Sequence, residues 1–344
     1  MSNGSSKDNA DEGAHRWSTA FLFAGLVLTL LILVPAGLAV GPADLGMTEI
    51  LRSLGGQATE TEDLILWNIR LPRMILAFFV GAALAQAGVV FQGLLTNPLA
   101  GPYTLGVSSG AAFGASIAIL IGLSMWLLPF LALAGAGITL FLVLLISGAR
   151  KGLDPRSMIL AGIVVGSIFS AAISFIKSVS GESLTTIVFW ILGSLSGRGW
   201  SELAIFLPYF GIGVVGLLVL VRELDLLCLG PDHAHAAGVD VENTRKLLVF
   251  FASLLAAAAV AVSGVIGFVG LVVPHGLRMI VGPGHRRLAL LSILAGGALL
   301  MGADILARAM SFAGQIPVGV ITSLLGGPFF CILLIKHRRA PSLA

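Results

Sequence analysis

Charge is scarce in this chain: 11% of its 344 residues are Asp, Glu, Lys or Arg, where soluble domains carry about a quarter. A water-soluble domain is thereby excluded, since it would need a core that absorbs nearly every residue. Cysteine is almost missing, and Cys228 with Cys331 cannot make a disulfide framework. Short segments of alternating hydrophobicity are missing too, which excludes a membrane β-barrel. The chain has no GxxxxGK[ST] phosphate cradle, so any energy drawn from ATP must come from another polypeptide. No run of Cys, His and carboxylates has metal-ligand spacing inside the apolar segments. A bare metal ion would find no coordination there, and neither a cofactor nor a nucleic-acid partner is expected.

What the chain does have is long apolar runs: 57% of its residues are apolar. Each run of eighteen or more can cross a hydrocarbon core about 30 Å thick. The reading is an all-α polytopic membrane protein with about ten transmembrane helices, near 17–40, 72–94, 99–122, 126–148, 157–178, 202–221, 247–265, 266–281, 288–309 and 317–336. The stretch 247–281 is one continuous apolar run, long enough for two spans. Residues 1–16 form an expected disordered tail, polar from Met1 to Gly13 and unlike a signal peptide. Residues 17–336 form the membrane domain and 337–344 a second tail.

An even number of spans puts both termini on one side, and basic residues in short loops mark the cytoplasm. With a cytoplasmic N-terminus, fourteen of the 20 Lys and Arg, among them Arg150, Lys151 and Arg156, fall on that side and six fall outside. An internal repeat is also visible. RMILAFF from Arg73 echoes RKLLVFF from Arg245, and FQGL from Phe91 ahead of Pro98 echoes FVGL from Phe268 ahead of Pro274. Spans 2–5 and 7–10 would then be inverted copies, a mark of transporter architecture. An ion-coupled secondary transporter would want carboxylates or histidines mid-span, and almost none occur.

The segment NPLAGPYTLGVSSGA, 97–111, breaks the apolar pattern with Pro98, Pro102 and three glycines. Irregular backbone at membrane depth must face protein or water rather than lipid. Taken with RLPR at 70–73, GAALAQAG at 81–88, LGVSSGAA at 105–112, WILGSL at 190–195, LGPDHAHAAGV at 229–239, GVIGFVGLVVPH at 264–275, GADILAR at 302–308 and IPVGVITSLLGGP at 316–328, it resembles the FecCD-like permease subunits of type II ATP-binding-cassette (ABC) importers. Those subunits carry iron–siderophore, haem or cobalamin. The resemblance implies ten helices per subunit and a homodimer whose path follows the shared interface. It also implies two copies of an ABC ATPase docked from the cytoplasm and an extracytoplasmic substrate-binding protein outside. The chain itself would be a transport subunit of the inner (cytoplasmic) membrane and not an enzyme.

Site residues follow from the same resemblance. Arg70, Arg73 and Arg308 match positions that dock the binding protein, although snorkelling cations would look alike in sequence. Within the cytoplasmic coupling loop, 222–246, Leu229, Gly230, Asp232, His233, Ala236, Gly238 and Val239 would contact the ATPase. Asp232 could cap a short helix there and Gly238 could end it. Asn97, Pro98 and Leu99 match a cytoplasmic constriction, with Gln92, Ser108, Ser109 and Gly110 as further path-lining candidates. Their other reading is small-residue helix packing. At the companion constriction, Pro155-Arg156-Ser157, Arg156 departs from the small hydroxyl residues of the family. Asp304 and Arg308, four apart, could pair along one helix.

Overall fold

The computed structural model describes residues 4–43, 45–148, 154–310 and 316–339. Its helices are α1 (Gly4–Ala39), α2 (Met47–Leu54), α3 (Glu60–Asp63), α4 (Leu71–Leu94), α5 (Val107–Leu120), α6 (Leu128–Ile146), α7 (Pro155–Val179), α8 (Leu184–Ile191), α9 (Trp200–Val219), α10 (Val221–Cys228), α11 (Pro231–Ala236), α12 (Val241–Ser263), α13 (Val269–Val281), α14 (His285–Ala309) and α15 (Val318–Arg339). A π-helical turn, Leu64–Arg70, leads straight into α4. Among the described residues there is no strand. Among the described residues, seven helices are long and apolar enough to cross a membrane, and three shorter apolar ones, Val107–Leu120, Val269–Val281 and Val318–Ile332, complete the ten expected spans.

The differences from the sequence reading are local. α1 runs back to Gly4, through most of the expected disordered tail. Extending an existing helix costs far less than nucleating one, so a polar segment can continue it. α15 likewise runs through Arg339 into the second expected tail, whose residues 340–344 lie outside the described residues, as do Arg150 and Lys151. The third span begins at Val107 and not near 99, because Pro98 and Pro102 withhold helical hydrogen bonds upstream. The split of 247–281 is real. α12 stops at Gly264 (φ 69°), and Phe268 (φ 68°) heads α13.

α4 is the axis of the molecule, and every residue from Val80 to Leu95 is buried. It runs antiparallel to α14: Arg73 meets Asp304, Gly81 meets Gly296, and Gln86 Nε2 donates to Ala289 O. A Cβ on Gly81 would lie 2.2 Å from Gly296 O, and one on Gly296 would lie 2.5 Å from Gly81 O. In lipid, where tails are as apolar as leucine, such close backbone approach is what holds helices together. α5 and α6 repeat the device, since a Cβ on Gly110 would lie 2.5 Å from Gly135 O.

The pairing of helices follows the repeat. α4 lies on α14 as α12 lies on α6, and α13 touches α4 as α5 touches α12. α5 and α13, of 14 and 13 residues, are matching short spans. At about 1.5 Å per residue each covers roughly 20 Å, less than the hydrocarbon core. Both start from a positive-φ residue, Gly106 (φ 71°) and Phe268 (φ 68°). The RMILAFF echo survives, with Arg73 and Arg245 each in the opening turns of a long helix. The second echo does not: Phe91 lies near the end of α4, whereas Phe268 precedes α13.

Candidate functional site

The expected coupling loop is a pair of short helices at the end expected to face the cytoplasm. α10 buries Val221, Leu224 and Leu227, the face that packs on the bundle. Gly230, at φ 115°, turns the chain into α11, and Pro231 sits in its first turn. The cap is therefore Gly230 and not Asp232, which lies inside the first turn and is exposed. Gly238 (φ 82°) does end the helix: its N–H donates to His235 O and the Val239 N–H to Ala234 O, the bonding of a Schellman motif. Ala234 is fully buried, while Leu229, His233, His235, Ala236 and Gly238 are exposed and Val239 is half-buried. A projecting knob results, anchored by one buried alanine and presenting Leu229, two histidines and the small Ala236 and Gly238.

Sequence reasoning missed what holds this knob. Asp225 Oδ1 on α10 accepts from the backbone N–H of His285 (3.0 Å) and lies 2.6 Å from its Nδ1. On the ring's other edge, Arg278 Nη2 of α13 is 3.4 Å from Nε2. Cys228 Sγ, at the end of α10, donates to Gly93 O of α4 at 3.6 Å. A Cβ on Gly93 would lie 2.6 Å from His285 Nε2, so glycine makes room for the ring. Burial pushes the Asp225 carboxyl up, but hydrogen bonds and charge from His285, with Arg278 behind, more than reverse this and hold it below its ordinary range. α10 is thus bolted to the tails of α4 and α13 and the head of α14. Nothing in local spacing joins residues 225 and 285.

The broken segment forms a compact turn. The Leu99 N–H donates to Asn97 Oδ1 (2.9 Å), Gly101 N–H to Thr104 Oγ1 (2.8 Å) and Ala100 N–H to Asn97 O (3.0 Å). Pro98 and Leu99 are exposed at its tip, and Asn97 is half-buried. Tyr103 reaches the other repeat: its hydroxyl donates to Ile266 O at 2.8 Å and accepts from Ile266 N–H at 3.3 Å. Two of the expected path-lining residues contact neighbouring helices. Gln92 is buried with its Nε2 donating to Leu271 O (3.0 Å), and Gly110 is the packing glycine between α5 and α6. Ser108 and Ser109 are half-buried, and Ser109 faces α7 at Gly166. At the start of α7, Asp154 accepts from the Ser157 N–H and hydroxyl, both at 2.9 Å, and Arg156 is exposed.

The three arginines at the opposite end are not an open cationic rim. Arg70 is buried and donates to Leu38 O, Ala39 O (2.8 Å) and Ala43 O. Arg308 donates to Gly37 O (2.8 Å) and Val40 O (2.6 Å). Both satisfy carbonyls at the C-terminus of α1, where cations are favoured. Asp304 then takes Arg73 Nη2 at 2.8 Å from α4 and Arg308 Nε at 3.1 Å from its own helix. The i,i+4 pair was legible, and its third member, Arg73, was not.

Residues 28–336 match the family model described as the FecCD transport family. An uncharacterized ABC transporter permease protein of Bacillus subtilis (strain 168), YvrB, is 46% identical over 281 residues, 80% of either chain. The cobalamin import system permease protein BtuC of Halobacterium salinarum is 42% identical over 285 residues, 83% of this chain and 76% of its own. A solved metal-chelate type ABC transporter in an inward-facing conformation superposes with a TM-score of 0.84 at 37% identity, covering 92% of this chain and 99% of that one. With the match running from α1 into α15, the chain belongs to the FecCD transport family.

Proposed function

We propose that this chain is the permease of an ABC importer that passes a metal chelate, a ferric siderophore, from a binding protein into the cytoplasm. It works as a homodimer in the inner membrane, with both termini cytoplasmic and two ATPase subunits seated on α11. The observation that carries the reading is the family match together with the exposed, bolted knob at α10–α11. A short helix anchored to three spans can transmit a push to the bundle. Among the described residues no three His, Cys, Asp or Glu side chains come together as a metal site. Cargo that brings its own ligands fits such a passage better than a bare ion. Cobalamin is the second reading, favoured by the BtuC relative, and haem remains the third.

Proteoliposomes holding this permease, its companion ATPase and its binding protein test the proposal. ATP-dependent uptake of a ferric siderophore is expected, and uptake of cobalamin alone moves the cargo to the second reading. ATP-independent, ion-driven uptake would sink the importer reading altogether. Gly238→Trp, at φ 82° with open space around it, should insert normally yet hydrolyse ATP without uptake.

A further inference from the structure

At the end opposite the knob, a cleft of about 340 Å³ opens between the end of α5, the start of α6, α8, the α8–α9 connection and the end of α12. Its polar lining includes Thr185, Thr186, Ser194, Ser263, Trp190 and Arg198. None of these belongs to the gate segment, to α10–α11 or to the Asp304 network. The volume falls within the range of small-ligand sites.

Arg198 is the unusual member. Its side chain is 14% exposed, and among the described residues the one carboxylate near it is Glu202, with Oε1 3.8 Å from Nη1. That separation is too long for a hydrogen bond. Glu202 is itself committed, since its Oε2 accepts the Gly199 N–H at 2.8 Å to cap α9. Among the described residues no acceptor reaches the guanidinium, and its Nε is buried without a partner. Burial lowers the Arg198 pKa and Glu202 opposes this only in part. Trp190, 7% exposed, also buries its indole N–H unpartnered. Two donor side chains without acceptors therefore line one cleft, together with hydroxyls and with no lining carboxylate. Buried donors left unmatched are costly, and a guanidinium fork matches a carboxylate or phosphate edge.

We propose that this cleft is an oxyanion site, with Arg198 as its primary ligand and the neighbouring hydroxyls completing the shell. The oxyanion is of the carboxylate or phosphate class, supplied by a small free anion or by a phospholipid headgroup. The site is independent of which cargo the protein carries.

The full chain in nanodiscs decides it. Citrate and inorganic phosphate are titrated by calorimetry in a neutral lipid, and retained phosphatidylglycerol is read by native mass spectrometry. Saturable binding of either anion, weakened about tenfold or more in Arg198→Gln, assigns the free-anion source. Retention of phosphatidylglycerol by wild type and its loss in Arg198→Gln assigns the lipid source. Glu202→Gln keeps an oxygen to cap Gly199 while removing the competing charge, so it should bind more tightly. If Arg198→Gln does not fold, the Glu202→Gln comparison stands alone. No binding of any probe to wild type, or binding unchanged in both variants, overturns the proposal and leaves a hydrated cleft.

Discussion

A carboxylate in apolar surroundings stays ionised only beside cations that repay its desolvation. Asp304, 1% exposed, has two such cations, Arg73 and Arg308, and through Arg308 it reaches the last turn of α1. Replacing it by Asn would leave two guanidinium groups facing each other under cover. Asp304→Asn should lower stability by about 3–5 kcal/mol, read from unfolding in detergent, whereas an exposed acid such as Glu182 should tolerate the same change. Sequence spacing could see half of this. Residues four apart on a helix are neighbours, but Arg73 stands 231 positions from Asp304, and only the antiparallel seam joins them. For the same reason the service of Arg70 and Arg308 to the carbonyls at the end of α1 was hidden in the sequence. The contacts of Gln92 and Gly110 with neighbouring helices were likewise hidden, because composition cannot say which side of a helix meets a neighbour.

The elements show where local signals sufficed. Gly238 marked the end of α11 correctly, because a glycine's backbone freedom needs no tertiary context, whereas Pro98 and Pro102 fell inside the expected third span, whose helix starts only at Val107. Phe268 was invisible by the same logic: a left-handed aromatic residue costs about 1–2 kcal/mol and is chosen by its surroundings. The attachment of α10 was also hidden, and it has a pH signature. The Asp225 carboxyl is held below its ordinary range in the folded chain. Its contribution is complete above the unfolded value of about 3.9 and is lost as pH falls through the lowered folded value. The unfolding midpoint of wild type should therefore drop on acidification across that window. Asp225→Asn should already be less stable at pH 7, with a flatter acid limb in the same thermal series.

At the scale of the whole molecule, about ten spans and their inverted repeat were legible from hydropathy and from one echo, since long apolar runs leave a membrane chain few choices. The seams that join them were not, because a glycine in sequence does not name its partner. Gly81→Leu would place a Cβ 2.2 Å from Gly296 O and force apart α4 and α14, the principal seam. Folded yield should collapse, as judged by size-exclusion chromatography, while Gly137→Leu, with nothing within 4 Å of its Cβ, should leave it unchanged. The Tyr103 hydroxyl, both giving to and taking from Ile266, has a further consequence. It rivets the interrupted stretch of one copy to that of the other, so neither half-length helix can tilt alone. Tilting either one alone would break both of these bonds.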